Sequence, residues 1–160
     1  MRAWGRAGLV LAVVLLVDQI TKALVRRDVK LGSSEDVFPF VDLVHVRNRG
    51  VAFGAFEDST ALVAVVIGVA MVALIAYFAT HRDRPLVWLP TGLLAGGAVG
   101  NLIDRVREGF VTDFVKLPSW PAFNVADMAI TVGVVALVLV VERSQPVAEE
   151  AVDDPAREHA

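Results

Sequence analysis

Hydrophobic residues fill four long blocks of the chain, and polar residues interrupt three of them. The block 61–79 carries no charged residue, and a helix of that length covers the ~30 Å hydrocarbon core of a bilayer at ~1.5 Å per residue. The blocks 7–25, 85–103 and 123–141 are of similar length but contain polar residues. The pattern therefore predicts four membrane-spanning helices.

The first block has a second interpretation, which is a cleaved signal peptide. However, Asp18 and Lys22 lie within its apolar run, and no cleavage site of the small-x-small type follows it directly. We therefore expect residues 7–25 to be retained as the first span.

Polar residues within the predicted spans gather at one membrane face. Consecutive spans alternate in direction, so the ends of the first and third spans and the start of the fourth reach the same face. A charged side chain in a span costs ~2.5–3.5 kcal/mol and usually faces the bundle interior. Three sets of polar residues, each on one side of its helix by spacing, therefore predict a shared site. The sets are Asp18 with Lys22, Asn101 with Asp104 and Arg105, and Asn124 with Asp127.

The segments that connect the spans on this face alternate as β-strands do. Residues 38–56 predict a strand, a turn at 48–50 and a second short strand. Residues 109–115 are rich in β-branched and aromatic types and predict a third strand, which carries Asp113. The predicted fold class is thus an all-α membrane protein, a four-helix bundle with a small β layer.

One side of the third span is built for close packing. Gly92, Gly96 and Gly100 recur at every fourth residue, a spacing that lets two helix backbones approach. We expect this side to face another helix of the bundle.

Composition agrees with a membrane protein. Of the 160 residues, 56% are hydrophobic and the mean hydropathy is +0.60, which is too apolar for an ordinary soluble domain. Six of the 18 acidic residues lie between Glu142 and Glu158. We expect residues 144–160 to form a disordered, dispensable tail behind one membrane-embedded domain of residues 1–143. The remaining body is mildly basic and gives no reason to expect a nucleic-acid partner.

The residue types available restrict the chemistry. The chain has no cysteine, which excludes disulfides and a cysteine nucleophile. His45, His81 and His159 are scattered over different segments and there is no HExxH motif, so we expect no metal. Ser119 and Lys116, the nearest serine–lysine pair, lie in a Pro-flanked loop. Carboxylates are therefore the remaining candidates for catalytic groups. Two neighbouring carboxylates that share a proton can activate water.

Asp127 opens the fourth span, and its partner could be Asp113 or Asp104. Asp104 is followed at once by Arg105, and we expect an exposed ion pair or a helix-terminal contact to satisfy it. Asp113 lies between Thr112 and Phe114 in an apolar strand, where burial raises a carboxyl pKa. The sequence therefore favours Asp113 with Asp127 as the catalytic pair.

Five short motifs, in order along the chain, resemble lipoprotein signal peptidase (signal peptidase II). They are DQITK at 18–22, RNRGVAF at 47–53, GNLIDR at 100–105, VTDF at 111–114 and FNVAD at 123–127. The resemblance implies an aspartic endopeptidase with Asp113 and Asp127 as its catalytic residues. It also implies that the reaction needs no cofactor and that a further set of residues supports the catalytic site. This set is Asp18, Lys22, Asn48, Gly50, Asn101, Arg105 and Asn124.

The resemblance further implies a substrate and a location. The substrate is a prolipoprotein whose lipobox cysteine carries a diacylglyceryl group, cut just before that cysteine. The β-strands resemble the family's extracytoplasmic β-cradle, which places the site at the outer face of a bacterial inner membrane. Counting Lys and Arg by the positive-inside rule places the same face in the cytoplasm, but many of these cations lie in segments expected to fold. We expect a monomer in contact with membrane lipid.

A small transporter or proton-coupled channel is the competing hypothesis, because buried acids and amides also line ion pathways. It requires polar residues at both sides of the bilayer. The second predicted span has none, and the other halves of the remaining spans are apolar. The sequence therefore favours the peptidase. A structural or chaperone-like membrane protein is less favoured still, because it leaves the strand segments and the paired aspartates unexplained.

Overall fold

A computed structural model describes residues 3–50 and 60–143 of the chain. The described chain is mostly helical and contains one small three-stranded sheet. By length and composition, two of its helices are apolar enough to cross a membrane, the first and the last. The elements in chain order are α1 (Ala3–Asp28), β1 (Ser34–Phe38), β2 (Val41–Asn48), α2 (Thr60–His81), α3 (Trp88–Glu108), β3 (Val111–Lys116) and α4 (Val125–Glu142).

Each predicted apolar block lies largely within a helix, but the helix bounds differ from the predicted ones. Helix α1 extends the block 7–25 by several residues at its N-terminal end and three at its C-terminal end. Helix α3 begins at Trp88 and continues to Glu108, beyond the predicted end at 103. Asp104 and Arg105 therefore lie inside this helix, and not at its exposed end.

Helix α3 is at the centre of the bundle and packs against the other three helices. The side that carries Gly92, Gly96 and Gly100 faces α1. A Cβ atom added at Gly96 would lie 2.8 Å from Cβ of Val14 and 3.0 Å from the backbone oxygen of Leu11. The glycines thus let α1 and α3 approach more closely than any larger residue would allow.

Replacing Gly96 by Ala should destabilise the protein by about 1–3 kcal/mol, because the added methyl overpacks the α1–α3 contact. Gly8→Ala on α1 is the matched control, since a Cβ there meets no atom within 4 Å. It should be neutral or stabilising, because Ala is favoured over Gly in a helix by about 1 kcal/mol. Thermal unfolding of the two variants in detergent measures both effects, and equal midpoints would contradict this packing.

The sheet is antiparallel, with β2 between β1 and β3. Strand β1 was not predicted, since its five residues are all exposed and show no alternation of burial. Strands β2 and β3 match the predicted first and third strands approximately, while the predicted second short strand lies at residues outside the described ones. Val46 pairs with Asp113, which makes Asn48 a diagonal neighbour of Asp113 on the same face.

Candidate active site

Asp127 is fixed in the first turn of α4 by a capping box. Its backbone N–H donates to Oδ1 of Asn124 at 3.0 Å, and its own Oδ2 accepts from the Asn124 backbone N–H at 3.2 Å. The amide of Asn101, on α3, donates to Oδ1 of Asp127 at 2.8 Å. Both carboxylate oxygens therefore have fixed donors before any substrate binds.

Asp113 lies on β3 and is 1% exposed. The side-chain amides of Asn48 and Asn124 donate to its two oxygens at 2.8 Å and 2.6 Å. Burial raises the pKa of the Asp113 carboxyl to about 6, although these two hydrogen bonds favour the charged form and oppose the rise. Close to neutral pH this carboxyl can therefore either hold or release a proton.

Asn124 connects the two aspartates. Its side-chain nitrogen binds Asp113 while its backbone N–H binds Asp127. Asp113 and Asp127 also line one cavity of about 580 Å³, which opens between the sheet, α2, α3 and α4. The cavity is lined by both polar and apolar residues, and the apolar ones on the helices are Ile67, Ala98 and Ile130.

Arg105 places a positive charge at the same cavity. It is 8% exposed, and its guanidinium donates to the backbone oxygens of Asn101 at 3.3 Å and Gly50 at 3.0 Å. Gly50 in turn donates its backbone N–H to Oδ1 of Asn48. Nε of Arg105 is buried and finds no partner among residues 3–50 and 60–143. A donor is thus available where a substrate carbonyl could accept.

Lys22 joins the site to a buried ionic network. Its ammonium lies 2.9 Å from Asp18, 3.2 Å from Asp104 and 2.8 Å from the Asn101 side-chain oxygen. All four residues are buried. Asp18 also accepts the backbone N–H of Ala126 at 2.9 Å, in the first turn of α4. The network therefore ties α1, α3 and α4 together directly behind the two site aspartates.

The expectation for Asp104 was wrong. Asp104 is only 2% exposed, and within the described chain its ion pairs are to Lys22 and, at 3.8 Å, to Arg26. Arg105 binds backbone oxygens and does not pair with it. Because α3 continues to Glu108, Asp104 lies within the helix and not at its end. Its side chain points towards Lys22 on α1 and away from solvent. One of its oxygens also accepts the Thr112 backbone N–H, next to Asp113.

Two further residues of the network were not anticipated. Gln19 donates to Asp18, to the backbone oxygen of Gly100 and to Asp104. Thr112 accepts a hydrogen bond from Arg26 through its hydroxyl. Gln19 could have been found from the sequence, because it is an amide inside an apolar helix and a buried amide needs a hydrogen-bond partner.

No group of three or more His, Cys, Asp or Glu residues suited to a metal ion occurs in the described ranges. His45 and His81 bond to separate backbone oxygens, those of Val29 and Tyr77, and His159 lies outside these ranges. The cavity is lined by a pair of carboxylates with oriented amide donors and by three arginines, Arg47, Arg49 and Arg105. Such an arrangement can activate a water molecule and protonate a carbonyl oxygen or a leaving amine.

Comparison with known proteins agrees with this chemistry. Residues 10–142 match the family model described as "Signal peptidase (SPase) II". The lipoprotein signal peptidase of Moorella thermoacetica is 45% identical over 126 residues, covering 78% of this chain and 84% of that one. The corresponding protein of Syntrophotalea carbinolica is 46% identical over 140 residues, with 82% and 87% covered.

The fold has a solved relative as well. A bacterial membrane enzyme determined at 2.3 Å by the in meso method superposes with a TM-score of 0.85 at 30% identity, covering 91% of this chain and 93% of the other. A second such enzyme, at 1.9 Å, gives 0.76 at 29% identity with 88% and 95% covered. The family model, the curated relatives and the fold coincide, and the chain belongs to the signal peptidase II family.

Proposed function

We propose that Asp113 and Asp127 are the catalytic pair with which this aspartic peptidase removes the signal peptide of a prolipoprotein. The observation that supports this most directly is the position of Asn124, which binds both carboxylates at the wall of one cavity. Lipoprotein signal peptidases cleave prolipoproteins. The finer substrate, a diacylglyceryl-modified prolipoprotein cut just before the lipobox cysteine, belongs to the proposal.

In the proposed mechanism, a water molecule lies between the two carboxyl groups. One aspartate, ionised, takes a proton from the water as the oxygen attacks the scissile carbonyl carbon. The other, protonated, donates to the carbonyl oxygen, and the tetrahedral intermediate then collapses as the leaving nitrogen is protonated. Asp113 suits the protonated role, since burial gives its carboxyl a pKa of about 6.

The remaining polar residues hold the substrate and the pair in place. Asn101 and Asn124 orient the carboxylates, and Asn48 also fixes Gly50 through its side-chain oxygen. Arg105 is fixed by two backbone oxygens and offers its charge to the substrate backbone. Preformed donors of this kind need no reorganisation during the reaction.

We place this domain, residues 1–143, across the membrane with α1 to α4 as four spans. The apolar part of the cavity lining, at Ile67, Ala98 and Ile130, then opens towards the bilayer, where the substrate's acyl chains would lie. The polar end would be the extracytoplasmic face of a bacterial inner membrane, with the sheet as a cradle for the peptide. A monomer suffices, because all the proposed site residues come from one chain.

The test is cleavage of a synthetic prolipoprotein by the purified protein, with two substrates identical except for the diacylglyceryl group. We expect cleavage just before the cysteine, and a large drop in kcat/KM for the unmodified peptide. A cut elsewhere would contradict the proposed reaction. Equal turnover of both substrates would contradict the role of the acyl chains while leaving the aspartate pair intact.

The rate should depend on pH through the aspartate pair. With the pKa of Asp113 at about 6, kcat/KM should fall as pH rises above about 6, because the proton to be donated is lost. Asn48→Ala removes a hydrogen bond to the charged carboxylate, so it should move this fall to higher pH. A fall at lower pH, or none, would contradict the assignment.

A further inference from the structure

A second cavity, of about 950 Å³, lies at the far end of the helices from the aspartates. It forms where α2 and α4 end and where α3 begins. Along α4, twelve residues separate Asp127 from Leu139 in its wall, which is about 18 Å at ~1.5 Å per residue. Its volume lies within the ~300–1,000 Å³ typical of small-molecule sites. The proposed peptidase activity makes no use of it.

The charged residues at this cavity are unequal in number. Arg84 and Arg143 both line it, and Asp83 is the acid that accompanies them. Within residues 3–50 and 60–143, neither guanidinium has an ion-pair partner, since the four ion pairs there involve other residues. Among the described residues, two arginines without an ion pair beside one acid leave a net positive charge that suits an anionic group.

The rest of the wall is aliphatic. Leu86, Leu89 and Leu139 line the cavity, and two of these side chains are about half exposed, Leu86 at 53% and Leu139 at 47%. Exposed leucines beside arginines suit a ligand that is apolar at one end and anionic at the other. A small soluble anion would make no favourable contact with the aliphatic part of the cavity wall.

Aromatic residues indicate that this end of the bundle lies at a membrane–water boundary. Trp4 is 47% exposed and packs edge-on against Phe78 with ring centroids 4.7 Å apart. Trp88, at the start of α3, carries the Arg6 guanidinium 5.8 Å from its ring centroid. Trp residues are enriched at the headgroup level of bilayers, and basic pockets between helices bind anionic headgroups.

We propose that this second cavity binds an anionic phospholipid. Its phosphate lies between Arg84 and Arg143, and its acyl chains run along the leucines towards the bilayer. The lipid joins the ends of α2 and α4 to the start of α3. It is a structural ligand at the membrane face opposite to the catalytic pair.

The test is a titration of the purified full chain in detergent with phosphatidylglycerol, and in parallel with phosphatidylcholine of the same acyl chains. Thermal unfolding reports the binding, because a ligand of the folded state raises the midpoint. We expect phosphatidylglycerol to protect the protein more strongly, and native mass spectrometry to show one retained molecule. Arg84→Gln and Arg143→Gln should each weaken binding by about fivefold or more, as a lost charge-assisted contact would.

Two further variants separate a specific site from general attraction. Arg82→Gln removes an exposed cation from the same loop that does not line the cavity, and it should leave binding unchanged. Asp83→Asn removes the opposing acid and should tighten binding, a gain that a folding defect cannot imitate. Equal protection by both lipids, equal protection by inorganic phosphate, or an Arg82→Gln loss as large as the other two would overturn the proposal. So would protection seen only after removal of residues 144–160, since the acidic tail would then be the occupant.

Discussion

Asp113→Asn and Asp127→Asn should each abolish cleavage, with kcat reduced by about 10³-fold or more, while the protein still folds. Each variant keeps the size of the side chain but loses the ability to hold or take a proton, which contributes typically ~10²–10⁴-fold in rate. In the proposed mechanism the two carboxyls act as a unit, so the double variant should be no slower than either single one. Steady-state cleavage of the lipidated synthetic substrate measures all three.

Loss of folding must be separated from loss of catalysis. For Asp113, folding raises the carboxyl pKa, so its contribution to stability is present below about 3.8 and is lost as pH rises through about 6. The Asp113→Asn variant has no charge to bury, which favours folding. Its NH₂ group, however, would face the NH₂ group of either Asn48 or Asn124, which both donate to the Asp113 carboxylate, and two donors in contact disfavour folding. The two effects oppose, and we expect a nearly unchanged unfolding midpoint at pH 7.

Asp36→Asn, on the exposed strand β1, is the matched control for a carboxylate in the same sheet and should cleave normally. Asp104→Asn should keep measurable turnover, because Asp104 acts through Lys22 and the Thr112 backbone and not on the proposed water. An inactive Asp104→Asn together with an active Asp113→Asn would show that the pair is misassigned.

Lys22→Met should be the most destabilising single change at the site, by about 3–5 kcal/mol. It leaves Asp18 and Asp104 buried without their shared cation, and uncompensated buried charge costs that much. Asp18→Asn is the matched change on the same network. There Lys22 keeps Asp104 as its counter-ion, so we expect a folded but weakened enzyme.

Yield of folded protein and thermal unfolding in detergent measure this difference. If the Lys22→Met and Asp18→Asn variants unfolded at the same temperature, the Lys22 ammonium would contribute no more to the stability of the fold than a neutral side chain of similar length. Normal turnover of Asp18→Asn would show that Asp18 merely neutralises Lys22.

Much of the fold and the candidate site followed from the sequence, because membrane insertion makes polar residues conspicuous. An apolar helix tolerates a polar residue such as Asp18, Lys22 or Asn101 only at a cost, and the spacing of such residues along a helix sets which side they share. The four apolar blocks, the close packing on the glycine side of the third block and the convergence of the three polar sets needed no further information, whereas the identity of α1 as the helix packed there came from the structure.

The errors have local physical causes. Asp104 was placed at an exposed helix end because the apolar run stops near residue 103, but α3 continues as a polar helix to Glu108. Hydropathy marks the end of the apolar run but not the end of the helix, because backbone hydrogen bonds continue through polar residues. Strand β1 is held by pairing with β2, while all its side chains are exposed, so no alternation could reveal it. Gln19 was overlooked because a neutral amide adds little to a charge pattern.

Asn124 makes assembly of the site depend on completion of the fold. The same side chain that caps α4 holds Asp113, and Asp127 is the third residue of the turn that it caps. Until α4 has docked against α3 and β3, Asp113 lacks its hydrogen bond from Asn124, Asp127 lacks the one from Asn101, and the two carboxylates do not line one cavity. With Asp113 and Asp127 as the proposed catalytic pair, we therefore expect a newly inserted chain to gain its proteolytic activity only when this tertiary contact forms.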